Sequence, residues 1–402
     1  MFAVKLFGRK ILKRILPLRF LRAFLKFPSE KQIINNVRAL QENYGDKIII
    51  FPSPGTPWGY MFQRPQQLAL QFARKGYCVL YCVDKNFVEN PDWLVRGMFE
   101  IQKNLYLFDD GQFGNTLINV LESPILFTYW PQQYDYAKKI YKKAIWIADC
   151  IDDVSNFGNK EALIENYDET IRLSDIQIAT ATKIQESIFD KHGILAELIN
   201  NGVNCQDFEQ KLINNNSKTI SEKSVVGYYG AIASWFDFEL MDFLISNNPE
   251  INFMVAGQVY PDVIDDFNEL TKNDNFRYLG RLPYSEIPKL LSDFDVGIIP
   301  FKLNEITLST NPVKVYEYMA GGKITVATEL PELRSLPYVM TASNSKLFNE
   351  LLNEVIVDAR ANPTGTKIRE ASKKYSWENK AEQIIELIES KRNASVSKGV
   401  KV

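Results

Sequence analysis

A chain of 402 residues is long enough for two domains with complete cores, and its 46% of apolar residues excludes a disordered polymer. A net charge of −2 excludes the general electrostatic attraction that a nucleic-acid binder needs. No apolar run approaches the length of a membrane-spanning helix.

The charge is unevenly placed. Residues 1–30 hold eight Lys or Arg against one acid, Glu30, a net +7 that leaves −9 for the other 372 residues. Val4, Phe7, Ile11 and Ile15 form one stripe, and Lys5, Arg9 and Lys13 another. After Pro17 the pattern resumes, with Leu18, Leu21 and Leu25 against Arg19, Arg22 and Lys26. The spacing predicts a basic amphipathic helix, broken at the proline and occupying a separate segment 1–45. Cations without matching acids suit an anionic membrane surface, contacted by residues 1–27; a helix packed on a neighbour is the plainer alternative. Charges recur through the segment, so it does not read as a secretory signal. The expected location is cytoplasmic, at the inner face of the membrane.

From residue 46 short apolar runs alternate with helical stretches. The runs are "KIIIF" (47–51), "YCVLYCV" (77–83), "NLYLF" (104–108), "PILFTYW" (124–130), "AIWIADC" (144–150) and "DIQIAT" (175–180). Helices are predicted at 62–75, 131–142 and 159–173. Strands apolar on both faces, alternating with helices, indicate a parallel sheet covered on both sides. The polar stretch "QKLINNNSKTISEKS" (210–224) reads as a linker. The alternation restarts at "VVGYYG" (225–230) and runs through "INFMVAG", "FRYLG" and "FDVGIIP" to "KITVAT" (323–328). The predicted domains are 46–209 and 225–375. A helix over 376–392 carries Trp377, Ala381, Ile384, Ile385 and Ile388 on one side, and the last residues, "KRNASVSKGV", look frayed.

Cys78, Cys82, Cys150 and Cys205 lack the clustered partners of a metal site, so they are expected as free thiols in a reducing compartment. His192 lies near a predicted helix end, where capping suits it better than catalysis.

Ligands of open parallel sheets bind at the carboxyl ends of strands. At one such place stands "NPVKVYEYMAGGK" (311–323). Asn311 fits an N-cap and Pro312 the first helical position. The free amides of that turn and the ammonium of Lys314 favour an anion such as a diphosphate. Glu317, on the same face, has a carboxylate able to accept two hydrogen bonds from vicinal hydroxyls. An ordinary surface Lys–Glu pair is the plainer reading. Gly230, in "YYGAIASWFD", allows close approach of backbone to a ligand. In the first half, "FPSPGTPWGYMFQRPQQ" (51–67) offers Trp58, Gly59, Tyr60 and Arg64 to a sugar, with core aromatics and a helix cap as the alternative. "ADCIDD" places Asp149, Asp152 and Asp153 at a strand end, as base, hydroxyl ligand or turn residues.

Taken in order, "FQRPQQLALQFARKGYCVLYC", "LINNGVNCQDF", "GYYGAI", "LGRLPYSEIPKLLSDFDVGIIPF" and "NPVKVYEYMAGGKITVAT" resemble GT-B glycosyltransferases of the large family 4 class, and within it bacterial cell-surface polysaccharide enzymes such as teichuronic acid glycosyltransferases. The resemblance covers roughly residues 46–390. It implies an α/β fold of two Rossmann-like domains facing across a cleft, with the last helix crossing back to the first. It implies a nucleoside diphosphate sugar as donor, a glycan or lipid-linked acceptor, retention at the anomeric carbon, and neither metal nor cofactor. Glu317 matches the glutamate that holds the ribose. The family's other glutamate falls on Ser309, and the cations expected after "GYYG" are absent. Lys314, Arg281 and the helix amides are then the groups left to face the diphosphate. The implied donor site is Gly230, Arg281, Ser309, Thr310, Asn311, Lys314 and Glu317; the implied acceptor site is Trp58, Gly59, Tyr60 and Arg64; Asp152 and Lys314 carry the chemistry. Two other readings fit the sequence: an inactive sugar- or nucleotide-binding partner of another transferase, and a nucleotide-sugar 2-epimerase.

Overall fold

The computed structural model describes residues 28–59, 62–83, 95–154, 161–212, 223–361 and 364–397. The basic segment 1–27 and Tyr60 lie outside the described residues.

The first domain is built on eight strands: β1 (Ile48–Phe51), β2 (Cys78–Val83), β3 (Met98–Gln102), β4 (Leu105–Asp109), β5 (Ile125–Thr128), β6 (Ile145–Cys150), β7 (Ile176–Ala179) and β8 (Glu197–Leu198). They lie in the order β3-β4-β2-β1-β5-β6-β7-β8, parallel except for β3 against β4. The central strands β1, β2, β5 and β6 are buried nearly throughout, which is why they read as continuous apolar runs. Cys78, Cys82 and Cys150 are buried on these strands and all four cysteines are free.

The helix Glu30–Tyr44 corrects the expected boundary at 45. Ser29 and Gln32 form a capping box at its start, and Ile33, Val37 and Leu40 are buried in one cluster with Ile48, Ile50 and Leu80. These residues therefore cover a face of the first sheet and belong to its domain.

The second domain has six parallel strands: β9 (Val225–Tyr229), β10 (Asn252–Ala256), β11 (Phe276–Tyr278), β12 (Val296–Ile299), β13 (Ile324–Thr328) and β14 (Val339–Ala342). Their order, β11-β10-β9-β12-β13-β14, is the doubly wound pattern, and chain direction across the sheet reverses between β9 and β12. That reversal opens a crevice above the carboxyl ends of these two strands. The helix Cys205–Leu212 also belongs here, since Val203 and Phe208 are fully buried in the second core. The chain thus changes domain near residue 202, earlier than the predicted linker.

A second crossing returns the chain. Val203 N donates to Tyr375 O and Trp377 N donates to Val203 O, both at 3.0 Å, so the two crossings pair as a short parallel bridge. The helix Trp377–Ser397 then buries Trp377, Ala381, Ile384 and Ile388 against the first domain. It continues through residues expected to fray.

Candidate active site

Phe62 of the first domain stacks on Tyr284 of the second at 5.9 Å, and Gln67 Nε2 donates to the Tyr284 hydroxyl at 3.3 Å. Thr182 N donates to Glu332 Oε1 at 2.6 Å. Phe62 and Thr182 follow strands β1 and β7; Tyr284 and Glu332 follow β11 and β13. The carboxyl ends of both sheets therefore face one cleft.

On the second domain's side the helix Val313–Ala320 begins in the loop after β12. Its start differs from the predicted one. Pro312 is the capping residue, with φ −69° and ψ 115°, and Asn311 lies before it. Asn311 does not cap the helix. It is 3% exposed; its Oδ1 accepts from Asn201 N at 2.9 Å and its Nδ2 donates to the Tyr316 hydroxyl at 3.0 Å. Ser309 and Thr310 are occupied too: their hydroxyls donate back to Glu305 O and Ile306 O, at 2.9 and 2.8 Å, closing the short helix Glu305–Leu308. Three residues expected at the donor thus shape the loop that delivers the next helix.

Lys314 and Glu317 are placed as expected on that helix. The Lys314 ammonium lies over the rings of Phe301 and Tyr228, 4.8 and 5.4 Å from their centroids. Among the described residues it has no carboxylate or hydrogen-bond partner. Its surface is half-buried, but protein surrounds it, and this desolvation lowers its pKa to about 8. Gly230, with φ 135°, makes room for it: a Cβ there would lie 2.9 Å from Lys314 Cε. Gly257 presses on the same loop, where a Cβ would lie 1.7 Å from Gly230 O.

Glu317 is 4% exposed, and its carboxylate accepts no hydrogen bond from the described residues. Burial, with the charge of Asp207 as a smaller cause, raises its pKa to about 8. A buried carboxylate without donors is costly, and the group keeps its proton to about pH 8 for that reason. Arg281 is exposed in the loop after β11.

On the first domain's side the structure separates the carboxylates of "ADCIDD". Asp149, 1% exposed, is held by Arg64 in a two-pronged ion pair, Nε to Oδ2 at 2.8 Å and Nη2 to Oδ1 at 2.7 Å. This corrects the expectation for Arg64: its guanidinium is 3% exposed and committed to the interior, so it does not face an acceptor. Asp152 is exposed in the loop after β6, although protein lies close around it. The crowding raises its pKa to about 6. Trp58 is half-buried, with edge contacts to Phe62 at 5.3 Å and Tyr81 at 5.1 Å; Gly59 is exposed. His192 pairs with Asp168 at 3.1 Å between two helices of the first domain. Tyr284, Gln67 and Phe62 were missed, because contacts between domains leave no periodicity in the sequence.

Residues 225–350 match the family model described as glycosyl transferases group 1. A Bacillus subtilis (strain 168) protein, TuaH, assigned to teichuronic acid biosynthesis as a glycosyltransferase, is 30% identical over 123 residues. That stretch is 29% of this chain and 30% of TuaH, so the chain matches under a third of that relative's length. Among solved structures, Anabaena HepE in complex with UDP and glucose is similar with a TM-score of 0.64 at 15% identity, covering 85% of this chain and 99% of that one. Sucrose-phosphate synthase from Thermosynechococcus elongatus gives 0.61 at 14% identity, covering 87% and 99%. The catalytic domain of Arabidopsis thaliana starch synthase IV, bound to ADP and acarbose, gives 0.60 at 13%, covering 86% and 98%. The chain therefore has the GT-B fold, two Rossmann-like domains across a cleft, and the match to the group 1 glycosyl transferase model lies within the second of them.

Proposed function

We propose that the chain is a glycosyltransferase, moving a sugar from a nucleoside diphosphate sugar to a hydroxyl of a cell-surface polysaccharide or its lipid-linked precursor, with retention at the anomeric carbon. One observation carries this reading. Successive turns of one helix at the cleft present an ammonium without a counter-ion and a buried carboxylate without donors.

A nucleoside diphosphate sugar supplies what both lack. Its ribose hydroxyls donate to Glu317, and its phosphates approach Lys314. In the transfer, the bond from the anomeric carbon to the diphosphate breaks and its electron pair leaves with the phosphate. The acceptor oxygen bonds to that carbon, and its proton passes to Asp152, which is ionised above about pH 6. Lys314 opposes the charge growing on the leaving group, the moment at which a fixed cation is most effective. With that cation in place the reaction is written without a metal. Trp58 and Gly59 border the acceptor's side. The likeness to the HepE complex supports UDP as the first nucleotide to test, and the TuaH match supports a cell-wall acceptor.

The test is a panel of nucleoside diphosphate sugars, measured for binding and for release of nucleoside diphosphate with acceptor. Lys314→Ala is expected to weaken donor binding about 10–100-fold, the loss of one charged hydrogen bond. Unchanged affinity removes Lys314 from this role. A second reading, an inactive binding partner, is favoured by Ser309, whose hydroxyl is already engaged. It predicts nucleotide binding with no release of product.

A further inference from the structure

A line of hydrogen bonds runs from the first domain into the donor helix, using groups to which the transfer reaction assigns no part. It starts at Asp149, three residues before Asp152 and gripped by Arg64. Arg64 Nη1 continues to Asn200 O at 3.2 Å and Asn201 Oδ1 at 3.4 Å. Asn201 then reaches the second domain: its N donates to Asn311 Oδ1 at 2.9 Å and its Nδ2 to Asn311 O at 2.7 Å. Asn311 passes the constraint to Tyr316 in the helix that bears Lys314 and Glu317. Alongside, Asn200 Nδ2 donates both to Thr180 O and to Glu332 Oε2, each at 2.8 Å, which ties the same crossing segment to both domains.

We propose that Asn201 is a positioning residue: it transmits the register fixed by Arg64 and Asp149 to Asn311, and so sets how the donor helix faces the Asp152 loop. The proposal rests on the glycosyl-transfer reading of the cleft. Its logic is that of the asparagine side chain, which accepts from one domain and donates to the other through a single planar group. Alanine at 201 keeps the backbone bond to Asn311 and loses both side-chain bonds. Aspartate at 311 keeps the network, because one carboxylate oxygen accepts from Asn201 N and the other from the Tyr316 hydroxyl.

The experiment uses the full chain with two readouts. The first is kcat and donor KM. The second is the distance distribution between spin labels on cysteines placed at exposed Lys191 and Lys272, one in each domain. Asn201→Ala is expected to lower kcat about 100-fold, the effect of misplacing reacting groups by about 1 Å, with donor KM changed far less. Its distance distribution broadens. Asn311→Asp stays close to the parent in both, and Asn311→Leu behaves like Asn201→Ala and serves if that variant does not fold. An unchanged distribution in Asn201→Ala or Asn311→Leu overturns the proposal, whatever the kcat. A parent protein that turns over no donor sinks the transfer reading instead, while the distances still decide whether Asn201 sets the register.

Discussion

At the scale of single residues, Lys314 and Glu317 are held in surroundings unfavourable to their charges. Glu317 shows what this costs. Its pKa of about 8 in the fold, against 4.5 for the free group, means that the folded protein holds a proton that the unfolded chain releases. Stability therefore falls as pH rises from about 4.5 through 8. Glu317→Gln removes the charge but keeps the shape. It is expected to stabilise the ligand-free protein by about 1–3 kcal/mol at pH 9 and to change little at pH 5, as urea unfolding will read. Equal effects at both pH values contradict the assignment of an unpaired, buried carboxylate. The sequence showed Lys314 and Glu317 because an i, i+3 spacing is visible in one dimension. It did not show how Asn311, Ser309 and Arg64 are braced, because their partners, Asn201, the Glu305 carbonyl and Asp149, are fixed by chain folding. A polar residue beside a site looks the same in sequence whether it faces the ligand or braces the loop.

At the scale of elements, the buried strands were legible, and of the four edge strands only β11, read as "FRYLG", was. β1, β2, β5, β6, β9 and β12 are apolar on both faces, and their predicted limits hold to within one or two residues. β3, β8 and β14 were missed, since strands at a sheet margin are half-exposed and mix polar with apolar residues. The helix Glu30–Tyr44 fell within the predicted helical segment 1–45, but its own start at "SEKQ", with a capping box, and its place in the first domain were not read, because the basic stripe before it dominates the pattern. That stripe makes its own prediction. We infer that residues 1–27 bind an anionic membrane surface, with Lys and Arg at the headgroups and Leu, Ile and Phe below them. No helix of the described residues is long and apolar enough to cross a membrane. Vesicles containing about a third anionic lipid are expected to sediment the full chain at low salt and not a chain lacking residues 1–27. Equal sedimentation of the two refutes the inference.

At the scale of the whole molecule, the proposed site lies between the two sheets and belongs wholly to neither. The second presents the Lys314–Glu317 helix, the first presents the Asp152 loop, and Asn201 joins them. Alternating strands and helices revealed two such domains in the sequence. The return of the last helix was implied by the family resemblance, and the apolar face read in the sequence serves it: Trp377, Ile384 and Ile388 are fully buried on the first domain. The crossing near residue 202 was hidden, because a polar linker is conspicuous in composition and a tight hinge is not. The donor nucleotide is expected to bind at this junction. The structure of the protein soaked with UDP tests it most directly. Ribose hydroxyls are expected within hydrogen-bond distance of the Glu317 carboxylate, and phosphate oxygens beside the Lys314 ammonium. Nucleotide bound elsewhere, with both side chains still unpartnered, would contradict it.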